Sequence, residues 1–384
     1  MRSRRTFLRR AGIAGSVAVL AGCLGDTEGP AGDQTATDRP DDGGSSRTGT
    51  ASSADVTELT AAYPPIGYWA VVINEMKNQG IIDEKMAEID TELTLQGTWD
   101  DAPLFAAGKS VVGHFSTLEA ARMATEKEMD LVVVGKVATM FMGMMVRAGS
   151  DLDPENSGGI QQTLDRVVGE NRTVGIGSWA GGDIPVHQII ADNYGYDFSE
   201  DGDFKVVSAD YTALPRLLAD GKVDMVSASV MHGGARYMMT DPPEVKGLYW
   251  PVPQMQELGY GVPPLINLIV RRDFLDERSE FVESYLSAWK QGLSEYFRNA
   301  VAISTKNEEN ISLLGAQEKA AAKYAVEWGV LLKEGVTETT QSNVYPEAGL
   351  DEAYIEKDKQ FMRTVADAGL VDDDWENRLD YEIL

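Results

Sequence analysis

The sequence predicts an α/β protein of two lobes joined by two crossover strands, and three observations support this. Strands and helices alternate along most of the 384 residues, which is typical of parallel sheets covered by helices. The chain is too long for one compact core. A helix–turn–strand motif at residues 104–112 also recurs at 217–225. The recurrence is short, so coincidence stays an alternative to two related lobes.

The first lobe is predicted from apolar runs separated by glycines and polar turns. Its expected strands cover residues 56–62, 91–95, 110–114 and 131–134. A helix over residues 67–78 is expected to end before Gly80, since glycine commonly follows a helix. Ser116 and Glu119 have the spacing of a capping box, which predicts a helix from there to about residue 126.

The second lobe is predicted from the same alternation further along the chain. Its strands are expected at residues 173–176, 204–208 and 223–227, and its helices at 183–194 and 214–218. Two apolar segments, residues 140–147 and 265–272, each reach a Val-Arg pair. We interpret them as paired strands that cross between the lobes; ordinary buried strands are the alternative.

The two crossovers divide the chain into lobes. Lobe one is predicted to combine residues 56–148 with residues 262–384, and lobe two to comprise residues 149–261. Helices are expected after the second crossover, at residues 277–299 and 318–332. On this interpretation lobe one is assembled from both ends of the globular region.

The charge balance excludes one class of function and indicates an environment. Lysine and arginine total 34 against 61 aspartate and glutamate, a formal net charge of −27. Nucleic-acid binding is therefore not expected, because it needs a basic surface. The acidic residues spread through the folded region, which favours a halophile's protein, since molar salt shortens the screening length to about 3 Å. A merely acidic extracellular protein is the alternative.

The N-terminal region indicates export. Residues 1–22 have a basic start, a short apolar stretch and a small-residue end, the layout of a signal peptide. Its apolar stretch of about 12 residues is shorter than the roughly 20 that span a bilayer. Arg4 and Arg5, followed by Phe7 and Leu8, resemble a twin-arginine export signal.

Cys23, the only cysteine of the chain, directly follows this signal. Residues 20–23 read Leu-Ala-Gly-Cys, which resembles a lipoprotein processing box and implies a lipid on Cys23. Residues 24–55 are rich in Gly, Ser, Thr, Asp and Pro and contain no aromatic residue. Residues 23–55 are therefore expected to form a lipidated, disordered tether to a membrane. The lone cysteine also excludes disulfides and Cys-based sites from the folded region.

Several short motifs, in order and spacing, carry a family resemblance. They are Tyr63-Pro64-Pro65, Gly113-His114-Phe115-Ser116, Val174-Gly175-Ile176-Gly177-Ser178, Gly221-Lys222-Val223-Asp224 and Phe274-Leu275. The chain resembles the periplasmic solute-binding proteins of the nitrate, sulfonate and taurine group, which also includes receptors for thiamine precursors. The N-terminal region, with its paired arginines and Cys23, resembles that of a haloarchaeal-type twin-arginine lipoprotein. Val111 and the stretch Met231-His232-Gly233 depart from the family pattern.

The resemblance implies a type II binding-protein fold and a receptor role. The expected function is that of the extracellular, lipid-anchored solute-binding component of an ABC importer, with permease and ATPase subunits as partners. The expected solute is small and anionic, similar to nitrate, a sulfonate or taurine. Two alternatives stay open: an exported enzyme related to pyrimidine-precursor synthases, and a receptor for a non-ABC transporter.

The binding cleft is expected where strands end and helices begin, because ligands of open α/β sheets lie there and helix N-termini favour anions. These loops cover residues 63–69, 97–100, 113–116, 177–183, 209–212 and 229–234. The predicted ligand-binding residues are Tyr68, Trp99, His114, Phe115, Ser116, Trp179, Gly182, Asp183, His187 and His232. The aromatic residues could instead be core, Ser116 a helix cap, and the histidines structural.

Catalytic and cofactor signatures are weak. Ser178 lacks the flanking glycines of a nucleophile elbow, and residues 175–180 fit a dinucleotide-binding pattern only loosely. The three histidines have no metal-ligand spacing. We therefore expect neither an enzyme nor a cofactor or metal. Asn171 and Asn310 fit the pattern of N-glycosylation acceptors, which is common by chance.

Overall fold

A computed structural model describes residues 57–179, 181–337 and 342–384. The chain divides into two units, Met1–Ala54 and Asp55–Leu384, and the descriptions below concern the second. The predicted signal peptide (residues 1–22) with Arg4 and Arg5, and the tether (residues 23–55) with Cys23, lie outside the described residues.

Within the described residues, strands form three sheets. The strands are β1 (Thr57–Tyr63), β2 (Thr91–Gly97), β3 (Gly113–Phe115), β4 (Leu131–Thr139), β5 (Gly143–Arg147), β6 (Thr173–Ile176), β7 (Lys205–Ser208), β8 (Met225–Ala228), β9 (Val245–Tyr249), β10 (Pro264–Arg271) and β11 (Leu379–Tyr381). The small sheet pairs β1 with β2 in parallel. The first large sheet has the order β11-β4-β10-β3, and the second has β7-β6-β8-β5-β9.

Helices connect and cover these sheets. They are α1 (Tyr68–Asn78), α2 (Ile81–Ala87), α3 (Asp101–Ala106), α4 (Thr117–Lys127), α5 (Pro154–Ser157), α6 (Ile160–Gly169), α7 (Ile184–Asn193), α8 (Leu214–Ala219), α9 (Ala235–Met238), α10 (Pro251–Glu257), α11 (Arg272–Glu277), α12 (Ser279–Ser304), α13 (Glu308–Leu313), α14 (Lys319–Gly329) and α15 (Glu352–Asp367). An irregular turn covers Val230–Gly234 and a short 3-10 turn covers Trp375–Asn377. No helix in the described part of the chain is both long and apolar enough to span a bilayer.

The mixed α/β architecture predicted from the alternation is confirmed. The strand expected at residues 173–176 coincides with β6, and the capping box predicted at the start of α4 is present. Ser116 Oγ accepts a hydrogen bond from the Glu119 backbone N–H at 3.2 Å. The Glu119 carboxylate in turn accepts from the Ser116 backbone N–H at 3.0 Å. The sequence therefore sets where α4 begins.

The predicted pairing of residues 140–147 with residues 265–272 is wrong. β10 pairs antiparallel with β4 and β3 in the first large sheet, whereas β5 lies between β8 and β9 in the second. Both segments are apolar because they are central strands, buried on both faces; such a run indicates burial and does not identify a partner. The chain passes between the large sheets at residues 140–142, and again between β9 and β10.

Candidate functional site

The candidate site lies where loops that follow strands of the two large sheets meet, and we call it the inter-sheet junction. It comprises the first turn of α4 with Ser116 and Glu119, the turn before α7 with Gly182 and Asp183, and the side chains of Asp101, Tyr211 and His232. The approach is close, since a Cβ on Gly182 would lie 3.2 Å from Glu119 Oε2. Residues of both predicted lobes therefore contribute to one site.

The capping box fixes the Glu119 side chain at the junction. Glu119 Oε2 accepts from both the backbone N–H and the hydroxyl of Ser116, at 3.0 and 2.7 Å. Burial raises the pKa of the half-buried Glu119 carboxyl, as does the negative charge of Asp183. Both bonds from Ser116 end on Oε2, so Oε1 is left for another donor.

A chain of hydrogen bonds orients Asp183, which is only 2% exposed. The Tyr211 hydroxyl donates to Oδ1 at 2.9 Å, and the Ser227 hydroxyl donates to Oδ2. His187 Nε2 lies 2.9 Å from Ser227 Oγ, and its Nδ1 lies 2.9 Å from the Tyr249 hydroxyl. Because Ser227 gives its only proton to Asp183, His187 must donate from Nε2 and accept at Nδ1.

A neutral His187 ring fits this bonding, because it has one donor and one acceptor nitrogen. Burial lowers its pKa to about 4, while the charge of Asp183 acts in the opposite direction. The order of donation therefore runs from Tyr249 through His187 and Ser227 to Asp183. This order leaves Asp183 as the acceptor at the end of the chain.

Two glycines allow the loop after β6 to close around Tyr211. A Cβ on Gly177 would lie 2.1 Å from Tyr211 Cζ, and a Cβ on Gly181 would lie 2.2 Å from the Tyr211 hydroxyl oxygen. Any larger residue at either position would displace the ring, and with it the bond to Asp183. Burial and the charge of Asp183 raise the pKa of Tyr211, so its hydroxyl keeps its proton.

His232 joins the junction from the turn that follows β8. Its Nδ1 lies 2.8 Å from Met142 Sδ, and its ring centroid lies 5.4 Å from that of Phe141 and 6.2 Å from that of Tyr211. Burial lowers the pKa of His232 to about 4, so its ring is neutral at pH 7. Nε2 is buried without a hydrogen-bond partner among the described residues.

Asp101, the first residue of α3, adds a third carboxyl to the junction, and its side chain is buried. Its pKa is raised to about 7 by burial and then by the charge of Glu119. Asp101 and Asp183 thus each lie close enough to Glu119 for their charges to interact with its carboxyl. Across the described chain, however, no group of three or more His, Cys, Asp or Glu side chains is arranged to hold a metal ion.

Four of the sequence-predicted ligand residues lie away from the junction or in the core. The Tyr68 hydroxyl is buried and donates to backbone carbonyls at Val137 and Asn343, at 2.7 and 3.2 Å. Phe115 is buried, with its ring centroid 5.3 Å from that of Phe105. His114 is also buried in the core, and Trp99 is 60% exposed on the loop after β2.

The core position of His114 follows from its two hydrogen bonds. Nδ1 donates to the backbone carbonyl of Ala62 at 2.8 Å, so Nε2 accepts from the Tyr285 hydroxyl at 2.9 Å. Burial lowers its pKa to about 4, so it too is neutral. Both ring nitrogens of His114 are thus engaged by the protein.

The structure brings together five of the predicted residues, namely Ser116, Gly182, Asp183, His187 and His232. Trp179 lies beside this group, half-buried, with its ring centroid 5.8 Å from that of Phe198. Sequence reasoning missed Asp101, Glu119, Tyr211 and Ser227 as site residues. Glu119 carried a signal, since it closes the capping box; Tyr211 lies in a loop assigned to the cleft.

Comparisons with known proteins identify similar folds. The alkanesulfonate-binding protein SsuA from Xanthomonas axonopodis pv. citri, solved with MOPS, is 12% identical; the alignment covers 86% of this chain and 100% of that chain, with a TM-score of 0.57. The nitrate-binding protein NrtA from Synechocystis PCC 6803 is 11% identical, with 85% and 86% covered and a TM-score of 0.57. The desulfurization enzyme DSZB is 12% identical, with 83% and 96% covered and a TM-score of 0.51.

No protein-family model and no curated protein matches the sequence. At such low identities the structural likeness shows the fold alone. The chain therefore has the α/β fold of periplasmic binding proteins. The same fold also carries an enzyme, so function has to be argued from the site.

Proposed function

We propose that this chain is the solute-binding component of an ABC importer. The observation that carries the proposal is the inter-sheet junction: α4 and the turn before α7 supply Glu119 and Asp183 to one buried site. A site shared between two sheets lets a small molecule hold both together, which is how binding can drive a closing motion. The likeness to a sulfonate-binding and a nitrate-binding protein supports the same function.

The proposal also covers the location of the protein in the cell and the division of its chain into lobes. The export signal with Arg4 and Arg5, followed by Cys23, supports transport of the folded chain and lipid anchoring at the extracellular face of the membrane. Permease and ATPase subunits would be its partners. The proposed lobes are residues 56–148 with 262–384 and residues 149–261, and β5, at the end of the first segment, pairs into the sheet of lobe two.

A ligand screen in molar KCl tests the binding role. The purified chain is melted with candidate solutes, and native mass spectrometry checks for a co-purified ligand. A solute that binds only the folded chain, at a hundred times its Kd, adds about 2.7 kcal/mol of stability. We expect one small solute to do this and to be recovered unchanged. Chemical conversion of that solute would support an enzyme instead.

The anchor is tested separately with Cys23→Ser. The variant should leave the membrane fraction and carry no lipid by mass analysis, while its ligand response stays the same, because Cys23 precedes the folded region. Replacing Arg4 and Arg5 with lysine should leave precursor inside the cell. Lipid on the Cys23→Ser chain, or unchanged export of the lysine variant, would contradict this part of the proposal.

A further inference from the structure

The charges at the inter-sheet junction are unusual for a site that takes an anion. Asp101, Glu119 and Asp183 meet there, and Arg122 is the cation whose positive charge acts on Glu119. Arg122 lies on the same helix as Glu119, and its Nε donates to the Leu370 carbonyl at 3.0 Å. An incoming nitrate or sulfonate would meet carboxylates of its own sign, which is unfavourable at short range even when salt screens longer distances.

The same groups are complementary to hydrogen-bond donors. Glu119 Oε1 receives neither of the bonds from Ser116. The neutral His232 ring has Nδ1 2.8 Å from Met142 Sδ, and we assign the ring proton to this nitrogen. In that tautomer Nε2 carries a lone pair and accepts. His232 is 6% exposed, and Nε2 has no partner within the described chain. A buried acceptor without a donor is costly, so this atom points to a missing ligand group.

Resting on the proposed solute-binding function, we propose that the inter-sheet junction binds a small organic cation that presents N–H donors, such as a primary ammonium or a guanidinium group. Glu119 supplies the charge and an oxygen acceptor, and His232 Nε2 supplies a neutral acceptor. Asp183 is oriented by Tyr211 and Ser227 and adds negative potential from the other side.

Four probes with matched features test the ligand class. Thermal shift and calorimetry in molar KCl compare n-butylammonium, n-butylguanidinium, tetramethylammonium and n-butanesulfonate. We expect one of the two N–H cations to stabilise the chain. Tetramethylammonium, which has charge without donors, and butanesulfonate, which has the same tail with the opposite charge, should have no effect. Binding of butanesulfonate instead, or of none of the probes, would overturn the proposal.

Variants that replace a glutamate with glutamine test whether the charge of Glu119 is what binds the cation. Glu119→Gln keeps an oxygen for Ser116 and removes the charge, so the Kd of the cation should rise about ten- to a hundredfold. Glu126→Gln is the matched control, since this exposed residue lies two turns further along α4. It should leave the Kd unchanged. Equal effects of both variants, or none from Glu119→Gln, would contradict the assignment.

A second variant covers the case in which Glu119→Gln weakens the helix cap and lowers stability. Asp101→Asn removes a carboxyl of the junction without touching the Ser116 cap, and should also weaken cation binding. If native mass spectrometry finds an anion bound instead, the binding role stands and the cation class fails. If no small solute binds at all, the binding role fails with it.

Discussion

His114 and His187 allow the regions around the two large sheets to be compared. His114 lies in β3 of the first sheet, and His187 lies in α7, which follows β6 of the second. Both side chains are fully buried and neutral, because burial lowers the pKa of each to about 4. Each has protein partners on both ring nitrogens, and each accepts from a tyrosine hydroxyl at 2.9 Å, Tyr285 for His114 and Tyr249 for His187. By residue type, burial and bonding capacity, the two histidines are alike.

They differ in the group that receives their proton. His114 donates to the backbone carbonyl of Ala62, and the hydrogen-bond chain ends there. His187 donates to Ser227, whose hydroxyl donates to Asp183 at the inter-sheet junction. A buried histidine can therefore serve the fold alone or orient a carboxylate of the site, depending on its second partner.

The largest effect is expected from His114→Ala. The substitution leaves a cavity, and it leaves the Tyr285 hydroxyl and the Ala62 carbonyl without their partner. We expect the free energy of unfolding to fall by about 3–5 kcal/mol, measured by denaturant titration in molar KCl. Ligand affinity of the folded fraction should stay within about twofold of wild type. A large loss of affinity without loss of stability would mean that His114 contacts the ligand, as the sequence predicted.

The second effect is a dependence of stability on pH. The folded pKa of His187, about 4, is below its unfolded value of 6.5. The unfolded chain therefore binds more protons between these values, and stability is lost as pH falls from about 6.5 towards 4. The contribution approaches about 3 kcal/mol for one histidine. Asp101 and Asp358, whose pKa values are raised to about 7, contribute with the opposite sign over much of the same range.

The variant His187→Phe isolates the histidine term. Subtracting its unfolding free energy from that of wild type at each pH cancels the shared contributions of Asp101 and Asp358. The difference should shrink as pH falls from 6.5 to 4. A difference that does not change with pH would mean that His187 is not held neutral.

The third effect concerns ligand affinity, which is expected to depend on His187 but not on His114. His187→Phe interrupts the chain from Tyr249 to Asp183 and frees Ser227 to reorient, so ligand Kd should rise about tenfold. His187→Gln, whose amide can donate to Ser227, should restore most of the affinity. The matched change His114→Phe should leave Kd unchanged. If Gln rescues no better than Phe at position 187, the residue acts through packing alone.

Much of the fold follows from local patterns that can be recognised in the sequence. The capping box at Ser116 and the apolar run that becomes β6 need only near neighbours along the chain. The cleft loops remain a prediction from the rule that ligands lie beyond the ends of sheet strands. Val111, which departs from the family pattern, is a buried core residue. Such features depend on periodicity, which is visible in one sequence.

The partners of individual side chains were not predictable in this way. His114 and His187 both lie in or beside predicted cleft loops, and only their second partners, the Ala62 carbonyl and the Ser227 hydroxyl, distinguish their roles. The strand partners of β5 and β10 were equally ambiguous, because both are apolar throughout. Helix α15, which carries Asp358 into the core, follows a stretch without a clear pattern. Each of these depends on contacts between residues far apart in sequence.

The smallest effect is expected from Trp99→Ala, which tests the exposed counterpart of the buried histidines. The Trp99 side chain is 60% exposed, so its removal should change the free energy of unfolding by less than about 0.5 kcal/mol. Trp69→Ala is the matched control: this ring is buried, and its Nε1 donates to the Pro64 carbonyl at 3.1 Å. Its loss should cost about 3–5 kcal/mol. A weaker cation affinity in Trp99→Ala at unchanged stability would assign the side chain to the wall of the site, whereas a fall in stability would mean that Trp99 packs against the protein and supports the fold as His114 does.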